Sequence, residues 1–365
     1  MASVSGHSNR KASHPEVLDM SVIEVVAPNL KFRLSGVTST IIQLVPVQAR
    51  TIGIATIGPG LPDSLPKMRW WQLPALLKRP ASGRRRIWHA RRNTEMVAGL
   101  VLKWLLRAPV HLLFTSAAQR SHQPFTKWLI GRMDAVIATS ARSGSYLEVP
   151  HEVVMHGVDL DLFHPPRASE DAFAAAGLPG RFAVGCFGRV REQKGTDLFV
   201  DAMIELLPQH PDWTAVIAGR VTAENRGFAQ MLQDRIDKAG LSERIVFLGE
   251  VPDVRLWFRR LSLYVAPSRN EGFGLTPLEA MASETPVVAS DAGAYAEMVV
   301  AGETGAVVPA GDGEALAAAI RPYLADPSLT ERQGKQALSH VRRQFPLSRE
   351  AEGVARVYDR LWSGR

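Results

Sequence analysis

Short apolar runs alternate along the chain with longer segments in which apolar residues recur at helical spacing. In the first half, runs of strand length lie at VIEVVAP, TIGIATIG, RIWHA, VHLLFTS, DAVIAT and HEVVMHG. In the second half, they lie at FAVGCFG, TAVIAGR, RIVFLGE, LSLYVAPS, PVVASD and GAVVPA. Apolar strands separated by amphipathic helices are typical of parallel sheets buried on both faces. The pattern therefore predicts an α/β protein with two doubly wound units.

A linker separates the two units at HGVDLDLFHPPRASEDAF, where adjacent prolines interrupt regular structure. The sequence predicts a flexible tail over residues 1–18, an N-terminal domain over 19–165 and a C-terminal domain over 166–345. Residues 346–365 are predicted to form a helix that returns towards the first domain. A length of 365 residues suits two cores of ordinary size.

Composition and charge narrow the class of protein. With 46% hydrophobic and 22% charged residues, the chain is typical of a globular protein. Cys186 is the single cysteine and lies in an apolar run, which excludes a disulfide framework and favours a buried thiol in a reducing cytoplasm. The formal net charge is +7, and eleven lysines and arginines fall between Lys67 and Arg107 with one acid, Glu95. The sequence predicts neither a signal peptide nor a membrane-spanning segment.

The segment SRNEGFGLTPLEAMASETPVVAS places Glu271 before a glycine-rich turn and Glu279 inside the helix that follows. Gly272 and Gly274 allow backbone N–H groups to approach a ligand closely, and a helix starting near Thr276 directs its positive end at the same space. A carboxylate on each side can accept hydrogen bonds from the vicinal hydroxyls of a sugar or ribose. The alternative is structural, with Thr276 as N-cap, Glu279 completing a capping box and the glycines forming a tight turn.

A second element, FGRVREQKGTDL, brings Arg189 and Lys194 to a loop between a strand and a helix. Cations at the carboxyl end of a parallel strand lie where such sheets bind ligands, and they can neutralise a diphosphate. The alternative is a solvated run of charges. The combination with the acidic glycine loop favours a binding site.

These residues resemble motifs of the retaining glycosyltransferases of family four. Glu271 and Glu279 match the E-x(7)-E motif, and GRVREQKG, residues 188–195, matches the G-R-x(4)-K-G motif. DAVIATSARSGSYL and VVMHGVDLDLFHP look like the end of the first domain and the linker in that family, and the resemblance spans about residues 21–345. With LLFTSAAQRSHQPFTKWLIGRMDAVIATS, the chain further resembles the lipopolysaccharide core mannosyltransferases of Gram-negative bacteria.

The resemblance implies a GT-B fold, in which two Rossmann-like domains face each other across a cleft and the second holds most of the donor. It implies that Arg189 and Lys194 hold the nucleotide diphosphate and stabilise the leaving group, and that Glu279 binds the ribose. Glu271 would orient the sugar, so Glu271, Arg189 and Lys194 form the implied catalytic set. The implied donor-binding residues are Gly36, Arg189, Lys194, Glu271, Gly272, Phe273, Gly274, Leu275 and Glu279.

The implied reaction moves a sugar, mannose from GDP-mannose, onto a lipid-linked lipopolysaccharide core acceptor with retention of configuration. A UDP-sugar such as UDP-glucose is the alternative donor. No cofactor and no metal are expected. Asp159 and Asp161 spell the D-x-D of metal-dependent transferases, but their position in the linker argues against a metal site.

Two features concern the acceptor and the membrane. His89 and Arg91 lie at the end of a strand, in IWHARRN, and are expected on the acceptor side of the cleft, the alternative being a partly buried strand-end histidine with solvated arginines. The stretch PKMRWWQLPALLKRPASGRRR mixes aromatic residues with cations, including Arg84 to Arg86, which suits an anionic membrane surface. A packed helix with a basic rim is the alternative. We therefore expect a peripheral protein on the cytoplasmic face of the cytoplasmic membrane.

Proteins of other classes fit the sequence less well. A nicotinamide oxidoreductase would also be doubly wound, but neither half carries G-x-G-x-x-G after its first strand. Nucleic acid is not an expected partner, because no nucleic-acid-binding motif accompanies the positive charge. A non-catalytic basic binding module remains the third alternative.

Overall fold

The structure is a computed structural model that describes residues 17–32 and 36–364. All but the last two residues of the predicted flexible tail lie outside the described residues. Each of the twelve apolar runs contains a strand in the described part of the chain, so the prediction of an α/β protein is confirmed. The first six strands are Val25–Pro28 (β1), Ile54–Ile57 (β2), Arg86–Ala90 (β3), Val110–Ser116 (β4), Ala135–Ala138 (β5) and Glu152–Val153 (β6). The next six are Phe182–Phe187 (β7), Trp213–Ala218 (β8), Ile245–Gly249 (β9), Leu263–Ala266 (β10), Val287–Ser290 (β11) and Gly305–Val308 (β12).

Helices follow most of these strands along the chain. In the first half they are Gly36–Gln48 (α1), Asn93–Leu100 (α2), Pro124–Ile130 (α3) and Ala141–Gly144 (α4). In the second half they are Thr196–Leu206 (α5), Arg226–Lys238 (α6), Val254–Arg260 (α7), Thr276–Ala282 (α8), Tyr295–Met298 (α9), Gly313–Ala325 (α10), Pro327–Gln344 (α11) and Leu347–Ser363 (α12). Short 3₁₀ segments and one π-helical segment, Val101–Leu105, complete the connections.

The strands form two parallel six-stranded sheets, with orders β2-β1-β3-β4-β5-β6 and β12-β11-β10-β7-β8-β9. In the first sheet the chain order reverses direction between β1 and β3, and in the second it reverses between β7 and β10. Open parallel sheets bind ligands beyond the carboxyl ends of their strands at such switch points. The topology therefore predicts ligand-binding sites at the loops after β1, β3, β7 and β10.

Apolar side chains cover both faces of each sheet. In the first sheet, Val25 and Ala27 of β1 pack on one face with α1, whereas Val26 of the same strand packs on the other face with Trp88. The second sheet shows the same alternation along β7, where Val184 and Cys186 share one cluster. The prediction of a buried thiol is confirmed, and burial raises the pKa of Cys186 to about 12.

The last helix, α12, packs on the first domain. Val357 and Tyr358 are buried in the same cluster as Leu44 of α1. Near the end of α12, the indole N–H of Trp362 donates to the carbonyl oxygen of Arg85 at 2.9 Å. The last helix, which follows α11 of the second domain, therefore returns to the first domain.

The basic stretch after β2 divides into an exposed part and a buried part. Trp70 and Trp71 begin a 3₁₀ segment and are 57% and 67% exposed. Arg84 and Arg85 are also exposed. Arg86 is not part of this surface, because its buried guanidinium donates to the carbonyl oxygens of Met20, Ile23 and Ala75 at 2.6, 2.8 and 2.9 Å. None of the described helices is long and apolar enough to span a bilayer.

Candidate active site

A cavity of about 450 Å³ lies between the two domains, at the carboxyl ends of both sheets. The domains approach closely at its edge, where a Cβ added to Gly272 would lie 3.3 Å from the carbonyl oxygen of Ala117. The structure brings the whole sequence-derived donor set to this cavity. The members on its wall are Gly36, Arg189, Lys194, Glu271, Gly272, Phe273, Gly274, Leu275 and Glu279.

Two loops of the second domain form one wall because they interlock. Gly195 adopts a φ of +70°, and a side chain there would place its Cβ 1.9 Å from the carbonyl oxygen of Pro267. Arg269, after β10, donates to both carboxylate oxygens of Asp197 at 2.7 Å. A bidentate pair of this kind fixes orientation as well as distance. The loop after β7 and the loop after β10 therefore act as a single support.

Glu271 lies on this wall. The ammonium group of Lys194 contacts its carboxylate directly. The hydroxyl of Tyr295 also donates to the carboxylate at 3.3 Å. Burial, reinforced by the charge of Glu271, raises the pKa of Tyr295 well above its ordinary value and keeps the hydroxyl a donor. Sequence reasoning missed Tyr295, which follows the glutamate by 24 positions.

Gly274 allows Tyr295 to take this position. Its φ is +84°, and a Cβ there would lie 2.2 Å from the tyrosine ring. Any larger residue would be strained and would displace the ring. The second glycine of the loop is thus required for packing as well as for access to the backbone.

Arg189 is an exposed cation on the cavity wall. Within the described part of the chain, no hydrogen bond or ion pair engages its guanidinium, so the group is available to an anion in the cavity. Arg191 also lines the cavity and was not predicted. Its place inside the 188–195 motif is the sequence signal by which it could have been found.

Glu279 lines the cavity from the first turn of α8. The helix starts one residue earlier than expected, with Leu275 rather than Thr276 as N-cap and without a side-chain capping bond. The capping-box alternative is therefore wrong. Burial raises the pKa of Glu279 to about 7. No donor among the described residues hydrogen-bonds this carboxylate, which leaves its acceptor capacity for a ligand.

The first domain supplies Arg91 but not His89. Arg91 lies on the cavity wall and is 9% exposed. His89 is 1% exposed and does not reach the cavity, contrary to expectation. Its Nδ1 and Nε2 lie 2.7 Å from the hydroxyls of Tyr358 and Thr115. Burial, followed by the charge of Arg91, lowers the pKa of His89 well below its ordinary value, so a neutral ring supports Thr115 from behind the wall.

The D-x-D sequence forms part of a turn. The Oδ1 of Asp159 accepts from the backbone N–H groups of Asp161 and Leu162 at 2.9 and 3.2 Å. Among residues 17–32 and 36–364, no group of three potential metal ligands is assembled.

The remaining wall residues come from helices and a strand as well as from loops, and most of them lie outside the two motifs. They include His156 of the linker, whose position on the cavity was not predicted. The other residues missed are Val37, Ser39, Thr40, Thr115, Ala117, Thr139, Gly188 and Thr276.

Known proteins resemble this chain in sequence and in fold. The family model described as glycosyl transferases group 1 matches residues 169–340. Lipopolysaccharide core biosynthesis mannosyltransferase LpcC of Rhizobium leguminosarum bv. viciae is 67% identical over 344 residues, which are 94% of this chain and 98% of the relative. Mannosyltransferase LpsB of Rhizobium meliloti, of the same process, is 51% identical over 350 residues, which are 94% and 99% of the two chains. The crystal structure of Anabaena HepE with UDP and glucose superposes with a TM-score of 0.78 at 20% identity, over 92% of this chain and 99% of that one.

Proposed function

The chain belongs to the group 1 glycosyltransferases, and we propose that it transfers mannose from GDP-mannose to a lipid-linked acceptor of the lipopolysaccharide core. Two relatives named as core mannosyltransferases match it over nearly its whole length, which supports the choice of sugar and process. One structural observation carries the assignment of the site. The carboxylate of Glu279 and the cation of Arg189 face one interdomain cavity without partners among the described residues.

The donor occupies the second-domain wall. Glu279 accepts hydrogen bonds from the ribose hydroxyls, and a charged acceptor suits a vicinal diol. Arg189 and Lys194 bind the diphosphate, which then lies beyond the carboxyl end of β7 at the switch point. The sugar lies against Glu271 and the backbone of Gly272 to Gly274.

Charge development explains why these groups accelerate the reaction. When the bond between the anomeric carbon and the phosphate oxygen breaks, negative charge grows on the diphosphate and positive charge grows on the sugar. Cations already held in place by the fold stabilise the leaving group without reorganisation, the effect that contributes most to many enzymes. Arg189 and Lys194 carry this role. No metal and no cofactor enter the proposed reaction.

The acceptor hydroxyl attacks the anomeric carbon from the face that the diphosphate leaves. Its oxygen forms the new glycosidic bond, and its proton passes to a phosphate oxygen of the leaving group. The products are the glycoside and the nucleoside diphosphate, with retained configuration. No protein base is required, so Glu271 orients the sugar and does not act as a nucleophile.

Lys194 and Glu271 form an ion pair on the cavity wall, in which each charge neutralises the other. When the donor enters, Lys194 binds the diphosphate and Glu271 accepts a hydrogen bond from a sugar hydroxyl. Both side chains thereby exchange their contact with each other for a contact with the substrate. Tyr295 keeps the carboxylate oriented during this exchange.

A panel of nucleotide sugars tests the donor. Purified protein is incubated without acceptor with GDP-mannose, UDP-glucose, UDP-galactose and GDP-fucose, and release of nucleoside diphosphate is measured. We expect slow hydrolysis of GDP-mannose to mannose and GDP, with the α-anomer formed first because configuration is retained. Preferential hydrolysis of a UDP-sugar would contradict the donor assignment.

We also propose that the protein works on the anionic, cytoplasmic face of the membrane, where a lipid-linked acceptor resides. Two exposed surfaces support this. Trp70 and Trp71 lie in the basic stretch after β2. A second surface surrounds a shallow cavity of about 330 Å³ in the first domain. There, Trp104 and Trp128 are 53% and 44% exposed, and the guanidinium of Arg132 lies 3.9 Å from the Trp128 ring centroid. Aromatic residues beside cations suit the headgroup region of a bilayer.

Vesicle sedimentation tests this placement. We expect the wild-type protein to sediment with phosphatidylglycerol vesicles and not with phosphatidylcholine vesicles. Trp104→Ser combined with Trp128→Ser should reduce sedimentation severalfold, because each large apolar side chain contributes to insertion. Met231→Ser, an exposed apolar residue on α6 of the second domain, is the matched control. Unchanged sedimentation of the double variant would remove this surface from the proposal.

A further inference from the structure

The linker and the last helix together build a histidine–glutamate pair at the cavity. Glu350 of α12 accepts from Nδ1 of His156 at 2.7 Å through Oε1. Its second oxygen accepts from the backbone N–H of Gly157 at 2.8 Å. His156 and Glu350 are 8% and 5% exposed, so the pair is buried except at its cavity edge. This contact joins residues 194 positions apart.

The backbone fixes the pair. The N–H of Val158 donates to the carbonyl oxygen of Phe345 at 2.9 Å, and the N–H of Leu347 donates back to Val158 at 3.1 Å. Gly157 permits this approach, because a Cβ there would lie 2.7 Å from the carbonyl oxygen of Pro346. Glu350 lies one turn into α12 and is therefore held beside the histidine.

The carboxylate determines which nitrogen of His156 carries the proton. Both oxygens of Glu350 are acceptors, so the ring presents an N–H at Nδ1. The other nitrogen, Nε2, has no hydrogen-bond partner among the described residues, although the histidine lines the cavity. A histidine oriented at one nitrogen by a carboxylate offers the other to a ligand.

The neighbours of the ring indicate which part of a donor it meets. His156 packs edge-on against Phe273, with ring centroids 4.8 Å apart and an angle of 80° between the planes. Phe273 belongs to the loop after Glu271, against which the proposed function places the transferred sugar. The ribose contact at Glu279 and the exposed cation Arg189 lie on other elements.

We propose that His156 contacts a hydroxyl of the transferred sugar through Nε2, and that Glu350 is the positioning residue that sets its tautomer. This inference rests on the proposed function and names a sugar-recognition group that the sequence motifs do not contain. The contact forms with the hexose and not with the nucleotide. His156 therefore contributes to discrimination among sugars carried by the same nucleoside diphosphate.

Titration calorimetry with two ligands tests the proposal. We compare GDP-mannose with GDP, which lacks the sugar, on wild-type protein and on His156→Ala. The variant should bind GDP-mannose about tenfold more weakly, the effect of losing one hydrogen bond to a partly buried polar partner, and should bind GDP as the wild type does. Unchanged GDP affinity also shows that the variant is folded. His164→Ala, in the same linker but outside the cavity, is the matched control and should change neither affinity.

Glu350→Gln separates orientation from packing. The amide has one acceptor oxygen for two donors, so its NH₂ group faces Nδ1 and favours a proton on Nε2 instead. We expect weaker GDP-mannose binding, about threefold, with GDP binding unchanged. Equal weakening of both ligands in His156→Ala would place the residue on the diphosphate and overturn the proposal. Unchanged GDP-mannose affinity of His156→Ala would overturn the proposal as well. Failure of wild-type protein to bind GDP-mannose would instead contradict the proposed donor, and it is visible without any variant.

Discussion

Replacing Glu279 with glutamine should stabilise the protein at alkaline pH and weaken nucleotide binding. Burial raises the pKa of this carboxyl to about 7 from an ordinary value of 4.5. The folded chain therefore holds the proton to a higher pH than the unfolded chain, and stability falls as the pH rises from about 4.5 to about 7. The difference corresponds to about 3 kcal/mol above about pH 8. Glutamine keeps the shape of the side chain but does not ionise, so the variant does not lose this free energy of unfolding.

Urea unfolding at two pH values measures the effect. At about pH 8.5 the free energy of unfolding of Glu279→Gln should exceed that of the wild type by about 3 kcal/mol, and at about pH 4.5 most of the difference should vanish. Glu243→Gln, an exposed glutamate outside the cavity, should show no such divergence. A difference between Glu279→Gln and wild type that does not depend on pH would contradict the raised pKa of Glu279.

Glu279→Gln also tests whether this carboxylate binds the ribose of the nucleotide. Hydrogen bonds to a charged acceptor contribute about 1.5–3 kcal/mol, so Glu279→Gln should bind GDP about 10- to 100-fold more weakly if the carboxylate holds the ribose. The site would then be an example of stability given up for function, because the group that lowers the stability of the fold is the one that binds substrate. Unchanged GDP affinity would remove Glu279 from the ribose contact.

Three other substitutions test separate parts of the site. Arg189→Ala should lower kcat at least about 100-fold with little change in melting temperature, because the cation stabilises charge that develops during the reaction; a loss confined to KM would argue against this role. Tyr295→Phe removes one hydrogen bond to Glu271 and should lower kcat/KM about fivefold, and wild-type kinetics would show that the hydroxyl does not orient the carboxylate. Glu297→Ala removes a carboxylate that joins the two domains across the cleft. This carboxylate accepts from the backbone N–H groups of Ala141 and Arg142 at 2.8 and 2.9 Å. The donor KM of the variant should rise about threefold, with a larger radius of gyration in X-ray scattering; an unchanged radius would mean that these bonds do not hold the domains together.

The strands were predictable because parallel strands buried on both faces need nearly continuous apolar sequence. That requirement is local, and each of the twelve runs shows it without knowledge of its neighbours. The grouping of residues on the second-domain wall of the cavity was predictable for a related reason. Arg189, Lys194 and Glu271 lie within two short motifs, and sheet topology brings loops after β7 and β10 together.

Contacts between distant segments were not predictable. Nothing in the residues around Arg86 distinguishes it from the exposed Arg84. The burial of Arg86 depends on distant carbonyl groups, and that of Ile23 lies more than 60 positions away in the sequence. His156 and Glu350 meet only because α12 begins beside the linker. The start of α8 was placed one residue late, since Leu275 takes a helical backbone conformation and acts as N-cap without a polar side chain.

A crystal structure of the protein soaked with GDP-mannose shows whether the interdomain cavity binds an activated sugar. We expect the diphosphate within hydrogen-bonding distance of Arg189 and Lys194, the ribose hydroxyls on Glu279, and the Lys194–Glu271 contact replaced by contacts to the donor. Donor density outside this cavity, or a bound donor that leaves these side chains without contacts, would contradict the proposed function.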